Sequence, residues 1–203
     1  MTGYTQVNLN AMLKELGEDI TKKILSDFSC PINKDVEFFL HKKAIEFAKQ
    51  GLARTHLVFA SYKNKPVLVG YFTLSLKYFT LSQKTLSNGM RKKVAKFGQY
   101  DNELKRYIIP APLIGQLGKN YLNGYNKLIT GNELLKMACD KIAALLLEIG
   151  GKIIYLECED KPFLLGFYDD NGFIPFGKRK LDRDETDMIE GKYLVQLLKY
   201  IKI

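Results

Sequence analysis

The stretch from Asn126 to Glu159, NKLITGNELLKMACDKIAALLLEIGGKIIYLECE, decides the architecture. Thr130 and Glu133 stand three residues apart, the spacing of a reciprocal cap at a helix start. Leu134, Leu135, Ala138, Ile142, Leu145, Leu146 and Ile149 then recur at three- and four-residue steps, which predicts a helix from Thr130 to Ile149. Gly150-Gly151 stops it. Lys152 to Glu157 (KIIYLE) reads as a short buried strand. Upstream, Ile108 to Lys119 reads as another strand, with Pro110 and Pro112 marking its entry. Strand, helix and strand at this spacing make a crossover between two parallel strands.

Working outward, Asn10 to Phe28 has helical periodicity and Ser29-Cys30-Pro31 breaks it. A second helix is expected from Asp35 to Gln50, ended by Gly51. Thr55 to Tyr62 and Val67 to Leu76 are rich in Val, Phe, Tyr and Thr. The short Lys63-Asn64-Lys65 link predicts an antiparallel hairpin. On the other side, Phe163 to Asn171 reads as a short helix, and Phe173 onward and Tyr193 to Ile201 as closing strands. The expected fold is α/β: one domain over 1–203, a central mixed sheet flanked by helices, with an N-terminal helical segment at 10–28.

Ser82 to Arg106 departs from this pattern. It holds seven basic residues (Lys84, Arg91, Lys92, Lys93, Lys96, Lys105 and Arg106) against Asp101 and Glu103. More than half of the chain's formal charge of +9 therefore lies in a segment expected to be an exposed, partly helical or mobile insertion. Arg91, Lys92, Lys93 and Lys96 are the candidate nucleic-acid contacts, because clustered cations are the footprint of a phosphate backbone. A Lys-rich surface that serves solubility alone would look the same.

Composition excludes several classes. Cys30, Cys139 and Cys158 are too few and too far apart for a disulfide framework or a zinc site, and suit a reducing, cytoplasmic setting. With two histidines, His41 and His56, no metal centre is expected. No apolar run reaches the roughly 18 residues of a membrane span, and Met1 to Asn10 lacks the charge and apolar pattern of a signal peptide. The run Gly115-Gln-Leu-Gly118-Lys119-Asn120 falls short of a P-loop. It is two residues short between its glycines, and Asn120 stands where Ser or Thr would hold magnesium.

Two segments carry the chemistry. The loop Asn126-Lys127-Leu128-Ile129-Thr130-Gly131 leads into a capped helix N-terminus, where unpaired amides and the helix dipole favour phosphate. A plain loop and cap would use the same residues. Phe167-Tyr168-Asp169-Asp170-Asn171-Gly172-Phe173 has an equally ordinary reading, with Gly172 ending a helix and Phe173 starting a core strand.

Taken in order, the loop, long helix, strand, short helix, Tyr, then Gly-Phe resemble the GNAT superfamily of N-acetyltransferases. The stretch Asn126-x-x-Ile129-x-Gly131 aligns with that superfamily's Gln/Arg-x-x-Gly-x-Gly/Ala signature and shares its last glycine. Phe167-Tyr168 with Gly172-Phe173 matches its second pattern fully. Phe28-Ser-Cys30, Phe38-Phe39-Leu40, Leu52-Ala-Arg54-Thr55, Gly70-Tyr71-Phe72-Thr73-Leu74-Ser75 and Pro110 to Gly118 resemble, more narrowly, the toxin branch that acetylates the amino group of aminoacyl-tRNA.

The resemblance implies a GNAT-like acyl-CoA N-acyltransferase fold and an acetyl-CoA-dependent N-acetyltransferase. The cofactor would lie in a splay between the Ile108–Lys119 and Lys152–Glu157 strands. Backbone groups of Leu117, Gly118 and Lys119 would hold its pantetheine arm, and amides of Lys127, Leu128, Ile129, Thr130 and Gly131 its diphosphate. Tyr168 would protonate the leaving thiolate. Glu157 and Glu159 are the nearest candidate bases, and solvated strand-end charges would explain them as well. Ile129 replaces a glycine, and a β-branched residue resists positive φ. The acceptor would be charged tRNA; a homodimer and an antitoxin protein would be the partners. A protein or small-molecule amine as acceptor, or a non-catalytic nucleic-acid-binding or regulatory role on the same scaffold, remain alternatives.

Overall fold

Lys63 and Asn64 both adopt positive φ, 51° and 61°. This is the two-residue turn whose twist matches that of the flanking strands. It joins β2 (Arg54–Tyr62) to β3 (Lys65–Ser82), which pair antiparallel in the register Tyr62↔Lys65 to Arg54↔Leu74. The computed structural model describes residues 3–82, 87–183, 185, 186, 189 and 191–202. Among the described residues the remaining elements include strands β1 (Tyr4–Asn8), β4 (Gln99–Asp101), β5 (Arg106–Lys119), β6 (Ile153–Glu159), β7 (Ile174–Lys180) and β8 (Tyr193–Tyr200), and six α-helices. The helices are α1 (Leu9–Ser26), α2 (Lys34–Phe38), α3 (Ala44–Gln50), α4 (Asn88–Val94), α5 (Gly131–Ile149) and α6 (Pro162–Asp170). Eight strands form one mixed sheet in the order β1-β2-β3-β5-β6-β8-β7, with β4 on β5. The expected crossover is present: β5 and β6 run parallel through Leu113↔Tyr155 and Ile114↔Leu156.

The chain divides into two compact units, through both of which β3, β5 and α5 pass. The first comprises Met1–Ser75 and Gly115–Ala138. Leu9, Leu25, Phe28, Leu40, Leu57 and Tyr71 form its core, each fully buried apolar side chain contributing about 1.5–3 kcal/mol. Tyr71 is entirely buried and donates its hydroxyl to the Val36 carbonyl at 2.5 Å. The second comprises Leu76–Ile114 and Cys139–Ile203, with a core of Phe79, Leu81, Val94, Ile109, Tyr155, Phe176 and Leu198.

Several sequence expectations need correction. The N-terminal helix starts at Leu9, next to the expected Asn10, but a strand not expected from the sequence, β1, precedes it, and the Asn8 side chain caps α1 by accepting from Asn10 N–H at 2.8 Å. Gly17, at φ 77° and ψ 170°, interrupts α1 in a conformation open to glycine alone. The second helix contains a π-helical turn, Phe39–Lys43, between α2 and α3. Pro110 and Pro112 lie inside β5 rather than at its entry. They fall after the stretch that pairs with β4 (Arg106, Tyr107, Ile108) and before the stretch that pairs with β6.

The basic segment is partly helical, and Lys92, Lys93, Lys96 and Lys105 are exposed. Ser87 caps α4, Val94 is fully buried, and Met90 and Phe97 pack on the second core. Asp101 accepts from the amides of Glu103 and Leu104 to close the turn into β5. Lys84 lies outside the described residues.

Candidate active site

In the first unit, the chain leaves β5 through Asn120, which is fully buried. Its Oδ1 accepts from the amides of Ser29 (2.9 Å) and Leu122 (3.0 Å), and its Nδ2 donates to the carbonyls of Asp27 (2.6 Å) and Leu68 (2.8 Å). The side chain thus uses every hydrogen-bonding position it has. Gly118, just before it, is required by packing: a Cβ there would fall 2.3 Å from Val36 Cγ1. Leu117 and Lys119 are half-buried.

A 3₁₀ turn follows, Leu122–Lys127, in which Asn123 and Gly124 take left-handed φ. The Lys119 ammonium donates to the Asn126 carbonyl at 3.1 Å. Leu128 N–H donates to Tyr125 O at 3.0 Å. Thr130 and Glu133 form the expected capping box: Glu133 N–H donates to Thr130 Oγ1 (3.1 Å), and the Thr130 amide and hydroxyl donate to the Glu133 carboxylate (2.8 and 2.7 Å). These bonds hold the Glu133 carboxyl below its ordinary range. Inside the protein the amides of Leu128 and Thr130 therefore have partners, and Lys127 belongs to the 3₁₀ turn. Ile129 is 2% exposed, and its φ is not positive. Its β-branched side chain is packed inward, so the change from glycine leaves the loop unstrained. An inward side chain and a capped helix start fit a diphosphate-binding loop.

In the second unit, Tyr168 sits near the end of α6, buried against Phe167 and Phe173. Gly172 (φ 77°) ends the helix as expected, with Phe173 N–H donating to the Tyr168 carbonyl at 2.9 Å. Among the described residues no partner bonds the Tyr168 hydroxyl. Burial first, and then the neighbouring Cys158 and Cys139, push its pKa well above the ordinary phenol value. It remains a proton donor at neutral pH.

Glu157 is no available base. Its carboxylate accepts from the Tyr155 hydroxyl, from Gln196 Nε2 (3.2 Å) and from Arg179 Nε (2.5 Å). Arg179 in turn binds Glu185 through two bonds of 2.7 Å. The Lys178–Arg183 cluster, expected to be a solvated loop, thus supplies an organising cation; Asp184 and Asp187 lie outside the described residues. Glu159 pairs with Lys161 at 2.7 Å. None of the described residues form a group of three or more His, Cys, Asp or Glu able to hold a metal, and no described helix is long and apolar enough to cross a membrane.

The basic segment opens a cavity of about 420 Å³ lined by Arg91, Lys92, Ala95, Lys96 and Tyr107. Lys93 is set apart from it, with its ammonium 5.7 Å from the Tyr200 ring centroid. Tyr107 was not foreseen; its only sequence signal is an aromatic residue next to Arg106.

No protein-family model matches the chain, and no curated protein matches it. Solved structures do. AtaT complexed with acetyl-methionyl-tRNAfMet is 18% identical with a TM-score of 0.62, over 96% of this chain and 94% of that one. A variant of KacT is 17% identical with a TM-score of 0.61, over 97% and 94%. AtaTR bound with acetyl-CoA is 16% identical with a TM-score of 0.54, over 95% and 91%. The mixed eight-stranded sheet with its flanking helices therefore shares the fold of these proteins.

Proposed function

We propose that the protein is an acetyl-CoA-dependent N-acetyltransferase whose acceptor is the α-amino group of aminoacyl-tRNA. The observation that carries the catalytic reading is Tyr168, largely buried on the helix that follows β6, whose hydroxyl bonds no other described residue. Bound acetyl-CoA supplies an activated thioester and a thiolate leaving group. The loop amides not already bonded, and the start of α5, would hold its diphosphate; backbone of Leu117, Gly118 and Lys119 would hold its pantetheine arm. Tyr168 donates its proton to the departing sulfur. With reference values of about 10 for phenol and 8.5 for a thiol, that transfer costs about 2 kcal/mol before the environment acts.

The engagement of Glu157 and Glu159 favours an acceptor that needs no base. At pH 7 an α-amino group of pKa about 7.7–8.0 is neutral in roughly a tenth of molecules, and a lysine of pKa about 10.4 in only a few per ten thousand. The cationic cavity beside Tyr107 suits an acceptor carrying phosphates. AtaT has been solved with acetyl-CoA and the C-terminus of the antitoxin AtaR. The proposal extends to an antitoxin partner and a homodimer for this chain.

Labelled acetyl-CoA incubated with the protein and a pool of charged tRNA tests the acceptor. Label in the RNA fraction that is absent with uncharged tRNA supports an α-amino acceptor. Label on added lysine peptides or small amines alone would replace it.

A further inference from the structure

The N-terminal strand reaches the candidate diphosphate loop. β1 is paired with β2 from Tyr4↔Ala60 to Asn8↔His56. From that anchored position the Tyr4 hydroxyl donates to the Leu128 carbonyl at 2.9 Å, across 124 residues of sequence. Two residues earlier in the loop, the Asn126 carbonyl accepts from Lys119 Nζ at 3.1 Å. Among the described residues there are no cis peptide bonds. In a trans peptide the carbonyl and the following N–H point in opposite directions. Drawing the Asn126 and Leu128 carbonyls toward these donors therefore turns the N–H groups of Lys127 and Ile129 away from them.

Leu128 and Thr130, the alternate residues, have amides already bonded to Tyr125 and Glu133. Lys127 ends the 3₁₀ turn, so Ile129 is the amide whose direction the Tyr4 clamp determines. Burial first, and then the neighbouring Glu133 carboxylate, raise the Tyr4 pKa, so the phenol stays a donor.

We infer that Tyr4 is a positioning residue for diphosphate binding: its bond to the Leu128 carbonyl aims the loop amides at the phosphates. The inference rests on the acetyl-CoA reading of this site. Tyr4→Phe keeps the ring and the β1 ladder and removes only the hydroxyl. Titration calorimetry would compare acetyl-CoA with acetyl-pantetheine, which lacks the diphosphate and nucleotide. Tyr4→Phe is expected to weaken acetyl-CoA about three- to tenfold, the worth of one hydrogen bond, and to leave acetyl-pantetheine unchanged. Equal affinity of the two proteins for acetyl-CoA overturns the inference and spares the reading of the site. An equal loss for both ligands also overturns it, because the effect is then not on phosphate. Failure of the unaltered protein to bind acetyl-CoA overturns both.

Discussion

Thr130 and Glu133 satisfy each other at the start of α5, the threonine hydroxyl accepting from the glutamate amide while the carboxylate accepts from the threonine amide and hydroxyl. A carboxyl held below its unfolded value, near 4.5, stabilises the fold above that pH, and its contribution is lost as pH falls through the folded value. Glu133→Gln should flatten the acid limb of the melting temperature against pH, lowering it at pH 7 and converging with the unaltered protein at low pH. Thr130→Ala should cost about 1 kcal/mol at pH 7 in urea titration.

Asn120 predicts a larger loss. Its side chain joins the end of α1, β3 and the turn after β5 through four hydrogen bonds. Asn120→Ala leaves buried backbone groups unpaired and should destabilise the protein by about 3 kcal/mol, read as a fall in the urea midpoint at constant slope.

Tyr168→Phe should lower kcat about 10²–10³-fold and leave the Kd for acetyl-CoA unchanged. Because burial raises the Tyr168 pKa above its ordinary 10.0, the phenol is not lost on the alkaline side. The kcat profile should therefore rise from pH 6 to 9, as the acceptor amine deprotonates, with no fall from Tyr168 in that window. A descending limb near pH 8 would remove Tyr168 as the acid.

Lys92 and Lys96 line the cavity while Lys93 stands over Tyr200. The double change Lys92→Ala with Lys96→Ala should reduce the salt dependence of tRNA binding by a slope of about 2 in log K against log salt. Lys93→Ala should change it less.

The strand and helix order was legible because its signals are local. Alternation in β2 and β3, the Lys63-Asn64 turn, the Thr130–Glu133 box and the Gly172 stop each lie within a few residues. The deciding contacts of Asn120, Tyr4 and Arg179 are not local. A buried asparagine and a failed P-loop residue are the same letter until Ser29, Asp27 and Leu68 close around it. Tyr4 gave no signal, since its partner carbonyl lies 124 residues away. The Arg179–Glu157 bond reversed a reading based on charge balance: neighbouring acids in sequence suggested a solvated loop, whereas β7 and β6 present these two side chains to each other through the sheet. The Ile129 departure lost its force for a similar reason, because inward burial is a property of the fold and not of the motif.

The most direct measurement is release of the coenzyme A thiol from acetyl-CoA, followed over time with charged tRNA, uncharged tRNA, lysine peptide or no acceptor, for the unaltered protein and Tyr168→Phe. Thiol release that requires charged tRNA and falls at least a hundredfold in the variant is the predicted result. Binding of acetyl-CoA with no thiol release above background for any acceptor would contradict the account.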